Sequence, residues 1–250
     1  MKQFARFQIE TREYIPKWDC TLLRCCSIGL LLLLIVSGSL LVAQEPAKSS
    51  PSSNENAQSL VVVLDPAHGG SDPGARISDR LLEKNLTLEF AKRLRQALDA
   101  RGVSVKMLRD SDVALSFRQR ASVANLARPA MFLSVHAEPG SVLHIFTPLP
   151  PSDKSSTESR RSFLPWQTAQ SAFLQQSSAL AATIAQALAK HDVEAQRLPA
   201  FVEPLAAIAA PAVAVELPCD SHGFSVDEDR VVTALTDLIV VRTDAKEGSH

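Results

Sequence analysis

The sequence has no surplus of charge: 26 Lys and Arg against 27 Asp and Glu give a formal net charge of −1. It lacks the basic footprint that nucleic-acid binding leaves, so no nucleic acid is expected as a partner. Cysteine is scarce. Of the four, Cys20, Cys25 and Cys26 lie in or before the amino-terminal apolar segment and Cys219 stands alone, which excludes an internal disulfide framework. No lipoprotein-type cysteine follows that segment, and Cys219 reads as a small buried hydrophobe. Long apolar runs are also few. Residues 28–43 form an uncharged stretch of 16, short of the roughly 20 that span a bilayer and near the roughly 7–15 of an export-signal core.

Residues 1–44 therefore read as a cytoplasmic n-region plus signal peptide or signal anchor. The small residues Ser37, Ser39 and Ala43 leave cleavage open. This predicts export to the periplasm or cell envelope, with transient or anchored inner-membrane contact through residues 28–43. Residues 45–59, rich in Ser, Pro, Asn and Glu, have too little apolar surface to order themselves and read as a linker. With 46% hydrophobic residues, the chain can bury one substantial core, assigned to a domain over residues 60–245.

Within that domain strand and helix patterns alternate. Residues 60–64 form an apolar strand, and Leu86, Phe90, Leu94 and Leu98 mark one face of a helix that Gly102 is placed to end. Val103, Val105 and Met107 alternate as a strand, residues 115–127 read as a helix, and residues 131–135 and 142–146 as strands. Leu180, Ile184 and Leu188 mark a long helix, residues 212–217 a strand, and Val231, Leu235, Leu238 and Ile239 a closing helix. The order implies an α/β fold in three layers, a mostly parallel twisted sheet with helices on both faces. The irregular stretch 147–167, with four prolines and Arg160-Arg161, reads as a surface loop or a regulatory lid.

Four polar residues fall at the ends of these elements. His68 leaves the first strand in Leu64-Asp-Pro-Ala-His-Gly-Gly70; Glu83 opens the first helix; His136 and Glu216 close apolar strands. In open α/β sheets ligands bind outside the carboxyl ends of strands, which places His68, His136 and Glu216 together. Two imidazoles and a carboxylate make the ligand set of a catalytic zinc with an open position for water. His68, Glu83 and His136 are thus the expected ligands of one Zn2+ and Glu216 the expected general base. Each also has a plainer reading: structural histidines, a helix-dipole carboxylate at Glu83, a buried acid at Glu216.

At these residues the chain resembles the zinc-dependent N-acetylmuramoyl-L-alanine amidases, cell-wall hydrolases of the phosphorylase/hydrolase-like α/β type. The likeness runs through Val61-Val-Val-Leu-Asp-Pro-Ala-His-Gly-Gly70, Asp72-Pro-Gly-Ala75, Glu83-Lys84, Leu108-Arg-Asp-Ser-Asp112, Arg118-Gln-Arg120, Ala124-Asn125, Ser134-Val-His-Ala137 and Pro211-Ala-Val-Ala-Val-Glu216. It implies peptidoglycan as substrate, cleavage between the lactyl group of N-acetylmuramic acid and L-alanine, and room for an activator protein. A zinc peptidase on another amide and a silent wall-binding homologue remain alternative readings. Asp65 is expected either to orient His68 or to brace the turn, and Arg118 and Arg120 to make structural ion pairs. His144, His191 and His222 carry no assigned role. The chain departs from the pattern at Ala67, Glu138 and Leu217, where Gly, Asn and Gly are usual.

Overall fold

A computed structural model describes residues 60–149 and 166–247. They belong to one unit, Ser53–His250; the other, Met1–Ser52, lies outside the described residues, as do the export segment and linker assigned above and most of the 147–167 stretch. Among the described residues no helix is long and apolar enough to cross a membrane.

The chain forms β1 (Val61–Pro66), α1 (Glu83–Asp99), β2 (Ser104–Met107), α2 (Phe117–Leu126), β3 (Met131–Pro139), β4 (Leu143–Pro148), α3 (Leu174–Lys190), β5 (Ala195–Ala200), β6 (Ala212–Asp220), β7 (Gly223–Phe224) and α4 (Glu228–Glu247), with short 3-10 turns at Trp166–Ala172 and Leu205–Ala207. Strand order is β2-β1-β3-β6-β4-β5, with β7 beside β6. All pairings are parallel except β4 with β6 and β6 with β7. The mostly parallel α/β sheet is as expected.

Alternation along the strands sorts side chains onto two faces. Val62, Leu64, Leu133, Val135, Val213 and Val215 pack with Phe90, Leu94, Leu188 and Leu235 under α1, α3 and α4. Val63, Phe132, Ala212 and Ala214 pack beneath Ala121 and Ala124 of α2 and Leu205 and Ile208. Helices on one face and a helix with a 3-10 turn on the other make the three layers.

This asymmetry creates the site. On the α2 face the covering layer packs over the first halves of β3 and β6 and stops, leaving the same face of their second halves partly open. Helix α1, on the other face, is locked by Leu86, Phe90, Leu94 and Leu98, all buried and each stabilising by about 1.5–3 kcal/mol. Sliding or rotating α1 would forfeit several of these terms at once. Its first residue, Glu83, is therefore held fixed against the sheet.

Local capping follows the sequence. Ser116 and Gln119 form a reciprocal capping box at the start of α2, and Gly102, at φ +78°, follows the end of α1. Strand β5 was not expected. Four of its six residues are exposed and it contains Pro199, so it lacks the apolar alternation that marks a strand and is tolerated as a sheet edge on β4.

Candidate metal centre

The β1–α1 loop begins with His68 in a left-handed conformation, φ +61°, which turns its imidazole back toward the sheet. Two buried arginines hold this loop by its carbonyls. Arg109 Nε donates to Pro66 O at 2.9 Å and its Nη2 to Ala67 O at 2.8 Å and Lys84 O at 2.7 Å. Arg120 Nη1 donates to Pro66 O at 2.9 Å and Nη2 to His68 O at 2.6 Å, while Nη1 also pairs with Asp65. Lys84 Nζ reaches Gly70 O at 2.8 Å and Asp112 at 2.7 Å, and Asp112 accepts from Gly70 N–H at 2.7 Å. The motifs containing Arg109, Asp112 and Arg120 thus serve one purpose, fixing the loop that carries His68.

The structure brings His68, Glu83 and His136 together. One ligand atom from each lies within 4.8 Å of the others. His68 Nε2 is 3.0 Å from Glu83 Oε2, and His136 Nδ1 is 3.1 Å from Glu83 Oε1. Tetrahedral sites with metal–ligand bonds of about 2.0–2.2 Å need donors about this far apart, so the residues fit a metal ion. Both Glu83 oxygens are further pinned by backbone N–H groups, Ala75 at 2.8 Å and Ala137 at 3.2 Å. Burial pushes the Glu83 carboxyl up, but hydrogen bonds from His136, His68 and Ala75 outweigh it and hold it well below the usual carboxylate range. The carboxylate is therefore ionised and ready to ligate.

Each imidazole has a second partner that fixes its ring. Asp72 Oδ2 lies 2.8 Å from His68 Nδ1, and Ser134 Oγ lies 3.3 Å from His136 Nε2. The orienting acid for His68 is thus Asp72. Asp65 is instead buried against Arg120 and Ser134, and braces the turn. Arg120 makes the expected structural ion pair. The glutamate hydrogen bond, reinforced by Asp72 and opposed by burial, raises the His68 pKa.

Glu216 lies beside this group. Strand pairing sets His136 opposite Glu216 across β3 and β6, their side chains on one face. Both strands continue past these residues, to Pro139 and Asp220, so His136 and Glu216 sit inside strands and not at their ends as expected; they are accessible because α2 covers only the earlier part of that face. Burial raises the Glu216 pKa, Glu138 adds to the rise, and a hydrogen bond from His144 works against it. His144, left without a role by the sequence, has Nδ1 3.0 Å from Glu216 Oε1. No sequence motif signals this contact, which depends on the antiparallel register of β4 on β6.

Two depressions flank the pair. One, of about 280 Å³, is lined by His68, His136, Asp72, Phe117, Glu203 and Pro204. The other, of about 360 Å³, is lined by Glu138, Ser141, Val142, His144, Glu216 and Pro218. Glu138 falls in the second and outside the metal-holding group. Cys219 is buried as expected, its thiol pushed up to about 11 chiefly by that burial.

A family model described as N-acetylmuramoyl-L-alanine amidase matches residues 62–222, every residue of the metal group included. The chain belongs to the N-acetylmuramoyl-L-alanine amidase family. Among relatives of this family, AmiC of Neisseria meningitidis is 36% identical over 88 residues, covering 35% of this chain and 21% of AmiC. A sporulation-specific N-acetylmuramoyl-L-alanine amidase of Bacillus subtilis is 43% identical over 81 residues, 32% of this chain and 31% of that protein. The chain thus matches about a fifth to a third of the length of these relatives. The amidase from Clostridium difficile 630 shares the fold at a TM-score of 0.56 and 21% identity, over 75% of this chain and 98% of that one. Ami1 from Mycobacterium smegmatis does so at 0.56 and 22%, over 74% and 97%.

Proposed function

We propose that this chain is a zinc-dependent peptidoglycan amidase that cleaves the bond between the lactyl carbonyl of N-acetylmuramic acid and the nitrogen of L-alanine. The observation that carries this reading is the convergence of His68, Glu83 and His136 on one point, with an additional carboxylate, Glu216, in register beside His136. Family membership supplies the substrate. His68 Nε2, Glu83 and His136 Nδ1 would hold the zinc. When bound, zinc polarises the amide carbonyl and brings the pKa of a water molecule to about 7.

The proton work falls to Glu216. It takes a proton from the water as the water oxygen adds to the lactyl carbonyl carbon, and returns it to the alanine nitrogen as the C–N bond breaks. Glu83 serves poorly in that role, because it would itself ligate the zinc and both of its oxygens accept backbone N–H groups. The two depressions on either side of His136 and Glu216 suit a substrate with a sugar on one side of the scissile bond and a peptide on the other.

In the same reading, residues 1–44 direct export or anchor the chain, residues 45–59 link it to the envelope, and residues 60–245 act on the wall. One structural relative, the CwlD amidase of Clostridioides difficile, is solved in complex with the GerS lipoprotein. An activator protein for this chain is a further part of the proposal. Digestion of purified peptidoglycan by the zinc-loaded chain should release intact stem peptides with free L-alanine amino termini and leave the glycan uncut. New termini at any other residue would assign the zinc to a different amide, and no cleavage by a zinc-loaded chain would favour a silent homologue.

A further inference from the structure

We propose that His144 is a positioning residue for catalysis, holding the Glu216 carboxylate so that one of its oxygens stays free for the water proton. The inference rests on the amidase reading and adds a residue to it.

Three strands carry the argument. β6 lies between β3 and β4, and strand pairing sets His136 and His144 opposite Glu216 on its two sides. The three side chains thus form a row on the open face of the sheet: metal ligand, base, imidazole. Among the described residues His144 is the sole hydrogen-bond partner of the Glu216 carboxylate, through Nδ1 and Oε1 at 3.0 Å. An ionised carboxylate only accepts, so Nδ1 carries the hydrogen.

The contrast with Glu83 gives this contact its weight. Two backbone N–H groups fix Glu83 whatever its side-chain neighbours do. Among the described residues Glu216 has no such backbone donor, and it lines an open depression of about 360 Å³ that leaves its carboxylate room to move. The His144 bond occupies Oε1 and leaves Oε2 as the proton acceptor. A shift of about 1 Å in a reacting group can cost roughly a hundredfold in rate, so one directional bond at the base is enough to matter.

His144 is neither a metal ligand nor part of the core. It lies outside the metal-holding group, and its side chain is 29% exposed, so its replacement is expected to leave the fold and the zinc site standing. A merely structural ring would be replaceable by another of similar volume. A positioning imidazole would be replaceable only by a side chain that presents an N–H at the same point, as the Asn amide does.

The test uses the full zinc-loaded chain and a soluble N-acetylmuramoyl peptide, with kcat, KM and zinc content measured for each variant. His144→Ala and His144→Phe should lower kcat about ten- to a hundredfold while KM stays within about twofold and zinc content is unchanged; His144→Asn should recover most of the lost kcat. Wild-type kcat in His144→Phe or His144→Ala, or failure of His144→Asn to recover activity, overturns the proposal while leaving the amidase reading intact. A wild-type chain that binds zinc and cleaves no substrate overturns both.

Discussion

Gly74 packs directly against the candidate metal centre, which makes Gly74→Ala a sharp probe of it. A Cβ at this position would lie 2.5 Å from Glu83 Oε2 and 2.6 Å from His68 Cδ2, whereas ordinary contact begins at 3.4 Å. Either the loop or the two ligands must retreat by close to 1 Å. Bonds to zinc of about 2.0–2.2 Å do not survive such a displacement. Gly74 also has φ +65°, which costs a residue with a side chain about 1 kcal/mol. Gly102 separates the two effects: its φ is +78°, and a Cβ there meets nothing within 4 Å. Both alanine variants should therefore lose about 1 kcal/mol of unfolding free energy to backbone strain. Only Gly74→Ala should also weaken zinc binding, by about tenfold or more. Competition against a chromophoric chelator, with urea unfolding of both variants in parallel, measures each term. Equal zinc affinity in the two variants would refute placement of His68 and Glu83 around a shared ion.

The remaining predictions concern the neighbours of the site. The proposed base Glu216 works only when ionised, so kcat/KM should rise with pH along an acidic limb, which burial of the carboxyl moves up and the charge of a bound zinc moves down. Glu138→Gln removes a negative charge that disfavours ionisation of Glu216, so that limb should move to lower pH; an upward shift or none would contradict the electrostatic assignment. Arg120→Met leaves Asp65, 1% exposed, without its cation and should cost about 3–5 kcal/mol in urea unfolding, partly restored by also making Asp65→Asn. A loss below about 1 kcal/mol would show that the pair does not brace the His68 loop.

The parts of this arrangement legible in sequence are those written in local pattern. Apolar runs and periodicity gave β1, α1, β3, α3, β6 and α4, and the element ends pointed to His68, Glu83, His136 and Glu216. What was hidden depends on register and turn geometry. Whether Asp65 or Asp72 orients His68 turns on the left-handed φ of His68, which aims its ring at an acid four residues on. Arg109 and Arg120 bind carbonyls of a loop tens of residues away, and a sequence carries no mark of which carbonyls are left for them. Strand β5 escaped because an exposed edge needs no apolar face. His144 meets Glu216 through a long-range antiparallel pairing inside a mostly parallel sheet.

In the proposed site three residues hold a metal and one moves a proton. Zinc content and turnover measured on one preparation of Glu216→Gln test that division most directly. Glu216→Gln should hold one zinc per chain, as in the wild type, with cleavage of the muramoyl–alanine bond lowered by about a hundredfold or more. Loss of zinc together with activity, or zinc retained with activity near that of the wild type, would contradict it.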